Sequence, residues 1–116
     1  MKFKLEKKLK IINELITLFH KLGTDDVHVD LKTNDYKSEF LISGLVKNIS
    51  NEEISRLKKI LNTPRQHEVE QYYWNLNGST ELNCELMLVG MMIDIADINY
   101  DDQILSLHLI REENDD

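Results

Sequence analysis

The chain is poor in the residues that staple, punctuate or cradle. It has one cysteine, Cys84, so no intrachain disulfide can form and a packed core must hold the fold together. It has one proline, Pro64, and four glycines, Gly23, Gly44, Gly78 and Gly90, each isolated. That spacing excludes both the GxGxxG turn and the GxxxxGKS/T phosphate loop. Long apolar runs are also missing. The most apolar segment, Leu86 to Ile98, is cut by Asp94 and Asp97, too short and too charged to span a bilayer. The basic start runs into an amphipathic pattern rather than a continuous apolar stretch, so no signal peptide is expected and a cytoplasmic protein is. Positive charge is scarce: 14 Lys and Arg face 21 Asp and Glu, a net charge of −7. Such a balance disfavours nucleic acid and membrane surfaces, which are themselves anionic.

What remains is enough for one domain over residues 1–116. A chain of this size buries roughly two thirds of its unfolded surface. The charge is polarised. Lys2, Lys4, Lys7, Lys8 and Lys10 crowd the start against Glu6 alone, and Glu112, Glu113, Asp115 and Asp116 end the chain. The basic lysines read as a solvated helix face. The segments 1–8 and 112–116 are expected to fray.

Leu5, Leu9, Ile12, Ile16 and Phe19 recur at helical spacing, and Ile11, Leu15, Leu18 and Leu22 widen the stripe. Gly23 suits the position just past the helix end. Val27, Val29, Leu31 and Thr33 then alternate with His28, Asp30 and Lys32, the pattern of a half-buried strand. After the turn residues Asn34 and Asp35, Phe40 to Ile42 reads as a second strand, with Gly44 at a bulge or strand end. Ser50 and Glu53 form a capping box for a helix carrying Ile54, Leu57, Ile60 and Leu61. A third helix is expected from Pro64 to Gly78, presenting Tyr72, Tyr73 and Trp74. A fourth, from about Leu82 to Ile98, is apolar nearly all round and so central. Asn99 to Asp102 reads as a turn before a closing strand from Ile104 to Ile110. The expected fold is α+β: a two-layer sandwich, its small mixed or antiparallel sheet covered by helices on one face, in the order α-β-β-α-α-α-β.

No catalytic constellation stands out. His20, His28, His67 and His108 share no motif with Cys84, which reads as a small buried hydrophobe. Asp25, Asp26, His28 and Asp30 lie close in sequence but lack a third spaced ligand, so no metal site is expected. Asp94 and Asp97, three apart, read as one solvated helix stripe.

The element order resembles the ATP-binding domain of histidine kinases and the wider GHKL ATPases, from about Leu9 to Arg111. The stretch Ile12 to His20 resembles that family's first helix, whose asparagine binds the ATP-bound magnesium. Asn13 sits at a plausible position beside Glu14, and Thr17 stands where the key asparagine falls. The family's Asp-x-Gly-x-Gly box corresponds to Leu41 to Ile49, which keeps Gly44 after Ser43 and has no aspartate. The glycine-rich lid is reduced to Asn77-Gly78-Ser79. Each departure removes a group that would read ATP and costs about 1–3 kcal/mol.

The resemblance thus implies a degenerate member: a non-catalytic regulatory or protein-interaction domain that needs no cofactor. It would dock a protein partner or a second copy through Tyr72, Tyr73 and Trp74 or through the basic first helix. The alternative is a nucleotide-binding protein or anti-sigma-type kinase, holding ATP and magnesium at Asn13, Glu14, Thr17, Ser43 and Gly44. A further alternative is an unrelated small α/β domain with an unknown ligand.

Overall fold

The computed structural model describes residues 4–63, 65 and 86–113. The described elements are α1 (Lys4–Lys21), β1 (Val27–Thr33), β2 (Lys37–Leu45), α2 (Asn51–Leu61), α3 (Leu86–Met92), β3 (Ile95–Asp101) and β4 (Ile104–Glu112). The strands form one four-stranded sheet in the order β1-β2-β4-β3, antiparallel throughout. The helices lie on one face, so the fold is the expected two-layer α+β sandwich. The expected third helix, with Tyr72, Tyr73 and Trp74, and Cys84 lie outside the described residues.

Each element follows from local chemistry. Gly23 ends α1 with a φ of +92°, which a side chain rarely adopts. Ser50 accepts the Glu53 amide at 3.1 Å, while Glu53 accepts the Ser50 amide at 3.1 Å, so the capping box is complete. Phe40, Ile42, Leu105, Leu107 and Leu109 face the helices. They meet Ile11, Leu15, Leu18, Phe19, Leu57, Leu61, Val89 and Met92 to make the core. No helix among the described residues is long and apolar enough to cross a membrane.

Of the two expectations for Gly44, the strand end holds and the bulge does not: it is next to last in β2 and pairs in unbroken register with Val27 and Leu105. Its role is space, because a Cβ there would lie 3.0 Å from the Asp26 carbonyl oxygen and 3.1 Å from the Phe19 ring. The central helix is also shorter than expected. It ends at Met92, and Ile95 to Ile98 belong to a fourth strand. Ala96, Ile98 and Tyr100 pair with Leu109, Leu107 and Leu105, while Asp97 and Asn99 fall on the opposite face. That is a period of two, which a helix cannot satisfy. The chain then turns at Asp102 and Gln103, with φ of 55° and 65°, rather than at Asn99 to Asp102. Both residues adopt the left-handed backbone that tight hairpins require.

Charged groups brace the end of the sheet. Arg111, buried to 1%, donates to the Met92 carbonyl at 2.7 Å and to Glu113 at 3.2 Å. Ser38 donates to Glu113 at 2.6 Å. The guanidinium thereby closes α3 and ties it to β4.

Candidate functional site

The residues proposed for nucleotide binding do not converge. Glu14 is buried and pairs with Lys10 at 2.8 Å. Asn13 is exposed, and its carbonyl accepts the Thr17 hydroxyl at 2.8 Å. Gly44 faces the helix layer against Phe19. Ser43, one residue earlier, points to the opposite face of the sheet. The basic start is not uniformly solvated either, since Lys7 and Lys10 are buried. Asp94 and Asp97 share no helix face: Asp94 accepts from Arg65 at 2.8 Å and from the Glu112 amide at 2.7 Å. Asp97 lies on the outer face of β3.

Chemistry on the outer face of the sheet centres on one pair. Glu39 of β2 and His108 of β4 are hydrogen-bonded. That bond above all, with the charges of His108, Lys37 and Lys32 adding to it, holds the Glu39 carboxyl below the usual carboxylate range against the opposing cost of desolvation. Asp30, Lys32 and Leu41 line the same shallow spot. His28 stands 3.5 Å from Asp26, both exposed. Among the described residues no three His, Cys, Asp or Glu side chains are grouped to hold a metal ion.

The feature that stands out is apolar. Helix α1 runs alongside the edge strand β1. Lys8 donates to Thr33 at 3.2 Å at one end, and Ile16, His20, Val27 and Val29 line a hollow of about 310 Å³ at the other. The expected α1 stripe splits here. Its Ile11, Leu15, Leu18 and Phe19 side enters the core, whereas Leu5, Leu9 and Ile16 stay 62%, 53% and 41% exposed. Val29 and Leu31, on the helix-facing side of β1, are 41% and 37% exposed. Sequence spacing predicted one broad apolar stripe but not which side of it the sheet would leave uncovered.

The fold and this edge define a small two-layer α+β domain with an uncovered apolar border. No protein-family model and no curated protein matches the chain.

Proposed function

We propose that this chain is a non-catalytic, cytoplasmic regulatory domain that works by docking a protein against the α1–β1 border. One observation carries the reading: Leu5, Leu9, Ile16, Val29 and Leu31 are large apolar side chains left exposed along one border. Scattered apolar residues need no explanation, but a contiguous row of them marks an interaction surface. Docking of this kind requires no bound cofactor.

The test compares affinity capture by the wild-type chain with capture by Leu9→Glu. Leu9 is exposed, so the change leaves stability within about 0.5 kcal/mol. A protein held by the wild type and lost by the variant supports the reading. Equal recovery by both chains, or a thermal shift with Mg-ATP, counts against it.

A further inference from the structure

Strand β1 ends the sheet on the α1 side, with no strand beyond it among the described residues. Its hairpin closes where the Asn34 amide donates to the Lys37 carbonyl at 2.9 Å. Antiparallel alternation from that bond turns His28, Asp30 and Lys32 toward β2 through their backbones. The N–H and C=O groups of Val27, Val29, Leu31 and Thr33 are left on the open edge. The register runs unbroken from Val27 to Thr33, with no proline and no bulge. Unbroken edges of this kind are templates for another strand unless something blunts them.

The side chains on this edge are self-complementary in one register. Two antiparallel copies can meet about an axis at Val29, Asp30 or Leu31. An axis at Asp30 sets Asp30 against itself and His28 against Lys32, which is repulsive. An axis at Leu31 matches Asp30 with Lys32 but sets His28 against Asn34, Val29 against Thr33 and Val27 against Asp35, so it makes one charge match where the Val29 register makes two. An axis at Val29 sets Lys32 against Asp26, His28 against Asp30, Val27 against Leu31 and Val29 against its own copy. Acid then meets base and apolar meets apolar from Asp26, the residue before the strand, to Lys32. The opposite edge, β3, carries Asp97 and Asp101 and no base, so no register of β3 on itself pairs opposite charges.

We propose that the partner at this border is a second copy of the chain, joined β1 to β1 in antiparallel about a two-fold axis at Val29. The proposal rests on the docking reading above and names its occupant. The pairs Val27–Leu31, Val29–Val29 and Leu31–Val27 each exchange two backbone hydrogen bonds. A two-fold axis perpendicular to the sheet keeps both α1 helices on one side of an eight-stranded sheet, twice the four strands of one chain. The exposed Leu5, Leu9 and Ile16 stripes then flank the axis.

Sedimentation equilibrium of the full chain tests the association, and charge reversal tests its register. The wild type is expected to reach twice the chain mass. Lys32→Glu should weaken the dimer about tenfold, since the axis repeats the broken pair, and Asp26→Lys should restore it. With Cys84→Ser as background, Val29→Cys should cross-link under oxidation and Leu31→Cys should not. Rescue by Asp30→Lys instead of Asp26→Lys moves the axis to Leu31 and overturns the proposed register. A dimer indifferent to Lys32→Glu, or an open polymer, overturns the edge pairing. A chain monomeric up to its solubility limit overturns self-association. The docking reading survives that last result if capture still depends on Leu9, and fails with it if capture does not.

Discussion

Gly90 shows how much one missing atom can decide. A Cβ at this position would lie 2.4 Å from the Ile60 carbonyl oxygen, which is backbone and cannot swing away. Alanine is the better helix former by about 1 kcal/mol, so propensity alone predicts that Gly90→Ala stabilises α3. Sterics reverse the sign. Forcing α2 and α3 apart costs about 1–3 kcal/mol or more, and urea denaturation should show a lower midpoint for Gly90→Ala. An unchanged or higher midpoint would mean that the helices separate without penalty. Glu39 gives a second test at this scale. Its carboxyl is held below the usual range, so its contribution is present above the ordinary glutamate pKa and fades as pH falls. Glu39→Gln should therefore be less stable than wild type at neutral pH, and the two should converge below about pH 4. A gap that is constant with pH would assign the effect to packing instead. Neither the crossing at Gly90 nor the Glu39–His108 pair was legible in the sequence, because each joins residues distant along the chain.

Legibility improves for elements whose signals are local. The α2 start was readable because Ser50 and Glu53 are three apart and satisfy each other's backbone amides. Ser50→Ala removes the acceptor for the Glu53 amide and should cost about 1 kcal/mol by chemical denaturation. Loss much below that would mean that water replaces the hydroxyl. The β1–β2 hairpin was readable from its alternation and from Asn34, whose side chain accepts the amides of Tyr36 and Lys37 at 2.7 and 3.0 Å. The segment from Ile93 to Tyr100 misled because its apolar residues fit two periods at once. Ile93 and Ala96 extend the α3 stripe, whereas Ala96, Ile98 and Tyr100 alternate. Tertiary pairing decides between them. The Asp94 amide donates to the Ile110 carbonyl at 2.8 Å, and the Tyr100 hydroxyl donates to the Val46 carbonyl. Those bonds exist only once β4 and the end of β2 are in place, so no window of the sequence contains them.

At the scale of the whole molecule, the described helices cover the middle of the sheet's inner face and leave its β1 border partly open. Helix α1 buries one of its two apolar stripes and leaves the other beside an edge strand whose apolar face is also half open. A monomer in water gains nothing from that arrangement, while an assembly gains the burial of both surfaces. The net charge of −7 works against bringing two copies together, and the acid–base matches along β1 offset that repulsion where the strands meet. If association is coupled to folding in this way, stability depends on protein concentration by mass action. Each tenfold rise in concentration then adds about 0.7 kcal/mol per chain, or about 3 °C in apparent Tm for a domain of this size. Val29→Lys places a cation against its own copy at the axis while leaving a residue that is 41% exposed in the single chain. Calorimetry over a range of concentrations should show the wild-type Tm climbing and the Val29→Lys Tm flat. A wild-type Tm that is independent of concentration would show that the exposed border contributes nothing to self-assembly.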